Sequence, residues 1–121
     1  VKLSELALGI GPFVVGPAVA RKTGLSSMSM MAINATKWFS AEWAQKAGLY
    51  ADVFETTQQM DEKIIELSNK LASSNPAAIK NLKKVLWEGT ENWDTLLAKR
   101  AEISGKLVLS DFSKNAINAL K

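Results

Sequence analysis

Glu5 is the residue of this chain whose type and surroundings are best suited to acid–base chemistry. It lies between Leu3 and the apolar run Leu6–Leu8. A carboxyl group among apolar side chains can exchange a proton with a substrate as a general acid or base. The same spacing is also typical of a surface charge or of a residue at a helix end. Position alone therefore makes Glu5 a candidate and assigns it no particular reaction.

The chain contains neither cysteine nor histidine, which removes several kinds of site. Disulfides, a cysteine nucleophile and thiolate metal sites are excluded, and so are a Ser-His-Asp triad and histidine-ligated zinc within this chain. Proton transfer must come from carboxylates, lysines, Tyr50 or water. We expect no metal site, and because the lack of cysteine fits a reducing compartment, we expect a cytoplasmic protein.

Two other patterns could bind phosphate groups. Gly9 and Gly11 begin like a dinucleotide fingerprint, but the third glycine is replaced by Val14, so we interpret them as a tight turn. Lys80, Lys83 and Lys84 form a basic strip on one predicted helix. Such a strip is typical of a solvated helix face, so we do not expect a nucleic-acid partner. An RNA-binding surface is the alternative, and its affinity would fall steeply with salt.

Length and composition are those of one folded domain. The chain has 121 residues, 47% of them apolar and 22% charged, with a net charge of +3. Apolar runs stay below the length of a membrane helix, and Pro12 and Pro17 interrupt the segment that most resembles a signal peptide, so we expect no membrane partner. The chain begins at Val1 rather than at Met, which indicates a processed start or a piece of a longer protein.

The first half of the sequence predicts short elements. A glycine- and proline-rich entry leads into a helix near Val14–Lys22, and a second helix follows over Leu25–Asn34. Ser40 is a favourable cap for a third helix. Alternation over Leu49–Phe54 indicates a short strand. A lone strand has no partner here, so it should pair outside this chain or stay irregular.

The second half predicts four helices. Apolar residues recur at steps of three and four, which is typical of one buried helix face. The clearest set is Met60, Ile64, Leu67 and Leu71. Asn75 before Pro76 predicts a capped helix start, and Ser110 predicts another.

Three stretches, taken in order, resemble the enoyl-CoA hydratase/isomerase (crotonase) superfamily. They are Ser4–Pro12 with Gly16 beyond, Phe39–Ala44 running on to Gly48–Tyr50, and Ser73–Pro76 with Ala78 and Lys80. The resemblance implies a mostly α chain, the C-terminal helical region of a crotonase-like ββα spiral fold with at most one or two short strands. Residues 1–56 would end the spiral core, and residues 57–121 would form a C-terminal helical oligomerisation region.

The resemblance also implies a reaction and a site. Glu5 matches the second of two acid/base glutamates, which exchanges a proton with the carbon next to the thioester carbonyl of an acyl-CoA substrate. Gly9, Pro12, Phe13 and Gly16 match the substrate-binding loop, although the usual glycine cluster is missing. The other glutamate and the oxyanion hole belong to a preceding part, so this chain alone should be inactive. Coenzyme A is part of the substrate, and no separate cofactor is implied.

The superfamily assembles into trimers, often paired into hexamers, and the resemblance implies a homo-oligomer here. The alternative is a non-catalytic helical module that assembles subunits or binds a partner helix. A folded, oligomeric chain without thioester affinity would favour that alternative.

Overall fold

The computed structural model describes residues 1–120, and these are mostly helical. A 3-10 helix precedes six α-helices, and no strand occurs within the described residues. The elements are the 3-10 helix Glu5–Leu8, α1 (Gly16–Ile33), α2 (Ala41–Lys46), α3 (Thr57–Ala72), α4 (Pro76–Leu86), α5 (Trp93–Val108) and α6 (Asp111–Asn118). The predicted mostly helical class is confirmed, and the four helices predicted for the second half are α3 to α6.

The strand predicted over Leu49–Phe54 does not form. The backbone N–H groups of Leu49 and Tyr50 both donate to the carbonyl of Ala44, at 2.8 and 3.2 Å. These bonds turn the chain at the end of α2. They also occupy backbone N–H groups that, in a strand, would bond to a neighbouring strand. The segment is irregular, as expected for a strand without a partner among residues 1–120.

The chain divides into two compact units, Val1–Ala51 together with the chain from Asp94 onward, and Asp52–Trp93. In the first unit, Val19, Met28, Met31 and Phe39 form the buried core. This core includes the predicted apolar face of the Leu25–Asn34 helix. The division at residues 56 and 57, which concerns the end of the spiral core, stays a prediction.

The entry segment is tied to this core by backbone hydrogen bonds. The nitrogen of Val1 donates to the carbonyl of Phe39 at 2.7 Å, and the N–H of Phe39 donates back to the carbonyl of Val1 at 2.9 Å. Because Phe39 is itself buried, this exchange fixes the start of the segment that carries Glu5.

Helix α1 joins the two short helices predicted from sequence, with a kink between them. Gly24 has φ 74° and ψ 161°, outside the helical region. A glycine adopts that conformation readily, whereas a side chain would be strained there. The two predicted helices were therefore correct in position, and Gly24 is the break between them.

The helix starts confirm the predicted caps. The side chain of Ser40 accepts from the N–H of Trp43 at 3.1 Å, and that of Ser110 accepts from the N–H of Ser113 at 3.2 Å. Asn75 accepts from the first free N–H groups of α4. Each cap satisfies donors that the helix itself leaves unpaired.

The second unit has exposed apolar helix faces. Neither α3 nor α4 contains a buried residue, and Ile64, Leu82 and Leu86 are 53%, 57% and 61% exposed. The amphipathic pattern was thus predicted correctly, but these faces are not covered within the described residues. No helix among residues 1–120 is long and apolar enough to cross a membrane.

Candidate functional site

Glu5 opens the 3-10 helix Glu5–Leu8, and Gly9 ends it. The N–H of Gly9 donates to the carbonyl of Leu6 at 3.1 Å, and the N–H of Ile10 donates to that of Glu5 at 2.9 Å. Gly9 has φ 76°, a left-handed conformation that favours glycine. The chain therefore turns at Gly9, and the loop that follows lies beside Glu5.

The carboxyl group of Glu5 is partly buried and incompletely bonded. Its Oε2 atom is buried and has no hydrogen-bond partner within the described residues. Glu5 lines a concavity of about 520 Å³ together with Gly11, Pro12, Phe13 and, from α5, Ser104. A buried polar atom without a partner is costly, and such atoms are rare in folded proteins. Glu5 thus offers an unused oxygen to whatever enters the concavity.

The loop that faces Glu5 is shaped by its glycines. The ring of Phe13 occupies the space where a Cβ atom at position 11 would lie, so Gly11 allows that ring to fold back on its own loop. The N–H of Phe13 donates to the carbonyl of Gly11 at 2.7 Å, and that of Gly16 donates to the carbonyl of Pro12 at 2.9 Å. These bonds give a compact turn that presents Pro12 and Phe13 beside Glu5.

The predicted substrate-binding residues fall into two groups. Pro12 and Phe13 lie beside Glu5, and both also line a second concavity of about 470 Å³, together with Gly16. Gly9 lines neither of these concavities. A Cβ atom on Gly9 would lie 2.5 Å from Cδ1 of Phe112 and 2.6 Å from Oγ of Ser113. Gly9 therefore allows the 3-10 helix to pack against the start of α6.

Arg100 is the residue at this site that sequence reasoning missed. It lies on α5, lines the second concavity, and its Nη1 atom donates to the carbonyl of Phe13 at 3.2 Å. The two residues are 87 positions apart. A single arginine on an amphipathic helix carries no sequence signal for such a contact, because only the fold brings it to the loop.

Other candidate groups do not belong to this site. Lys80, Lys83 and Lys84 are exposed on α4, in the other unit, as expected of a solvated face. Within residues 1–120, no group of three or more His, Cys, Asp or Glu residues could hold a metal ion. What the first unit does bring together is the Glu5 carboxyl group and the mostly apolar loop residues that line its concavity.

Comparison with known proteins relates this chain to one family model and to a curated enzyme. The family model for enoyl-CoA hydratase/isomerase matches residues 1–118. The 2,3-dehydroadipyl-CoA hydratase of Escherichia coli (strain K12) is 33% identical over 90 residues, which is 74% of this chain and 34% of that protein. The chain thus spans about a third of the length of the curated relative that it matches.

Proposed function

This chain belongs to the enoyl-CoA hydratase/isomerase family, and on that basis we propose that the protein containing it adds water across the 2,3-double bond of an enoyl-CoA thioester. Glu5 is the acid/base residue that this chain contributes. The observation that carries the proposal is the buried, unbonded Oε2 of Glu5 in a concavity lined by Pro12 and Phe13.

The proton balance of hydration gives Glu5 one role. The oxygen of water bonds to C3 as one of its protons passes to a second glutamate, the electrons of the double bond move toward the thioester carbonyl, and C2 then receives a proton. Glu5 in its acid form donates that proton to C2, and in the reverse reaction its carboxylate removes it. A group positioned for this transfer contributes roughly 10²- to 10⁴-fold to the rate.

The remaining groups of the reaction lie outside this chain. A second glutamate would activate the water, and two backbone N–H groups would stabilise the negative charge on the thioester oxygen. Stabilisation of that oxyanion usually accelerates such a reaction more than any other single effect. The chain on its own is therefore expected to be inactive, and coenzyme A enters as part of the substrate.

The loop and the relative's name support the proposed substrate class. Pro12, Phe13 and Gly16 would hold the acyl part, since Pro12 and Phe13 lie beside the proposed acid and all three line the neighbouring concavity. The relative is named for a 2,3-dehydroadipyl thioester, whose acyl chain ends in a free carboxylate. Thioesters of that kind are included among the proposed substrates.

Replacing Glu5 tests the catalytic assignment. In the whole enzyme that contains this chain, Glu5→Gln keeps the size of the side chain and removes its ionisable carboxyl group. Hydration of crotonyl-CoA should fall roughly 10²- to 10⁴-fold. The matched control is Glu102→Gln, which alters an exposed carboxylate bonded to Lys106. Turnover by the Glu5→Gln enzyme equal to that of the control would rule out the assignment.

A helical assembly role is the second candidate. The exposed apolar faces of α3 and α4 favour it, because apolar surface of this extent usually packs against a partner. In the proposed enzyme these faces help to build a homo-oligomer, a trimer or hexamer. Light scattering on the whole protein measures the assembly, and a coenzyme A titration separates an enzyme from a module without thioester affinity.

A further inference from the structure

We infer that Arg100 binds a carboxylate at the far end of the acyl chain, so that the preferred substrate is the thioester of a dicarboxylic acid. The inference rests on the proposed hydratase function and deepens it. Arg100 takes no part in the proton transfer. It determines which acyl chain is held while Glu5 acts.

The residues around Arg100 are suited to a ligand that has an apolar chain and a negatively charged end. The residues lining its concavity are mostly apolar, with Leu25, Met28, Leu96 and Ile103 among them. Arg100 is the one charged residue among those that line it, and its side chain is half-buried. A pocket with apolar walls and a single guanidinium favours a ligand whose chain is apolar and whose end is a carboxylate.

One hydrogen bond orients the guanidinium group of Arg100 and leaves its other N–H donors available. It has five N–H donors, and Nη1 gives one of them to the carbonyl of Phe13 at 3.2 Å. No carboxylate within residues 1–120 forms an ion pair with Arg100. Because the Phe13 carbonyl fixes the orientation of the guanidinium, its remaining donors can bind a carboxylate in the two-bond geometry that arginine prefers.

The two concavities share a wall, which connects the acid to the cation. Pro12 and Phe13 line both the concavity of Glu5 and that of Arg100. An acyl chain whose C2 lies at Glu5 would pass along this turn, and its far end would reach the second concavity. Gly16 lies next to Arg100, since a Cβ atom there would be in ordinary van der Waals contact with Nη1, 3.8 Å away.

Two thioesters of equal length test the inference. Both 2,3-dehydroadipyl-CoA and 2-hexenoyl-CoA carry six acyl carbons, but the first ends in a carboxylate and the second in a methyl group. In the whole enzyme, Arg100→Met should lower kcat/KM for the dehydroadipyl thioester roughly 10- to 100-fold, mainly through KM. The loss on the hexenoyl thioester should be smaller, because both thioesters lose the bond from Arg100 to the Phe13 carbonyl but only the dehydroadipyl thioester also loses a partner for its carboxylate. Arg100→Lys, which keeps the charge, should lose less on the dehydroadipyl thioester.

The control is Lys99→Met, which removes the neighbouring positive charge from an exposed position and should leave both values unchanged. An equal loss on both thioesters after Arg100→Met would overturn the inference, because it would mean that Arg100 binds a coenzyme A phosphate or only supports the loop. Unchanged values for both would overturn it too. A wild-type enzyme that hydrates crotonyl-CoA but neither six-carbon thioester would overturn the inference alone, whereas one that hydrates none of the three would refute the proposed function.

Discussion

Gly9 and Phe112 are in contact although the 3-10 helix and α6 lie at opposite ends of the sequence. A Cβ atom on Gly9 would come within 2.5 Å of Cδ1 of Phe112. The segment that begins with Glu5 is therefore held in place by the start of the last helix. The position of the proposed acid depends on a residue without a side chain.

Gly9→Ala should destabilise the protein by about 1–3 kcal/mol, because φ 76° strains an alanine and the added methyl group meets Phe112 and Ser113. Denaturant unfolding of the whole protein measures the change. The matched control is Gly105→Ala in α5, where a Cβ atom meets nothing within 4 Å. That substitution should stabilise the helix by about 0.5–1 kcal/mol. Equal stability of the two variants would contradict the packing described for Gly9.

Met31→Ala should cost about 2–5 kcal/mol of unfolding free energy, because the side chain of Met31 is 1% exposed and its loss leaves a cavity in the core. Its neighbour Met30 is 44% exposed. Met30→Ala should change stability by less than about 0.5 kcal/mol. Thermal or denaturant unfolding measures the stability of the two variants. A similar loss for both would contradict the placement of Met31 in the core and of Met30 at the surface.

Asn75→Ala should loosen the start of α4, because the Asn75 side chain accepts from the N–H groups of Ala77 and Ala78 at 2.9 and 3.3 Å. Loss of such a cap typically costs about 0.5–2 kcal/mol. Amide hydrogen exchange across α4 measures the effect, and Asn75→Asp, which keeps an acceptor, is the control. Equal exchange rates in the Ala and Asp variants would rule out the cap.

The acid range offers a test of helix α3. The ammonium groups of Lys63 and Lys70, each 2.8 Å from the Glu66 carboxylate, lower the pKa of Glu66 to about 2. Since the pKa of Glu66 in the folded chain lies below its ordinary value, the contribution of these two ion pairs to folding stability is complete above about pH 4.5. It is lost as the pH falls toward about 2.

A titration of the Glu66 carboxyl carbon by NMR should show this low midpoint, and Glu66→Gln should remove the matching loss of α3 helicity. Glu102→Gln on α5 is the control and should leave the Glu66 titration unchanged. A midpoint near the ordinary value of 4.5 would show that the two ion pairs do not persist in solution.

Local signals in the sequence were enough to predict most of the helices. Ser40, Asn75 and Ser110 are caps that act within three residues, so the sequence around each contains the whole interaction. The strand over Leu49–Phe54 was predicted from alternation alone, but a strand depends on a neighbour. The backbone of that segment instead bonds back to Ala44.

The candidate site was predictable only in part. Glu5 and the loop from Gly9 to Gly16 are contiguous, so a resemblance of one short stretch could indicate them. Arg100 contacts that loop across 87 positions, and Phe112 contacts Gly9 across a similar span. Such contacts depend on the packing of distant helices, and no periodicity or cap near Arg100 or Phe112 encodes them.

The lone Oε2 atom of Glu5 has an evolutionary and practical implication. An apolar residue at position 5 would remove the desolvation penalty of that oxygen and should make the protein more heat-resistant. A screen that rewards thermostability alone would therefore favour Glu5→Leu and, on the proposed assignment of Glu5, enrich variants that have lost the acid/base group. Directed evolution of this protein toward higher thermal stability should therefore select for catalytic turnover at the same time.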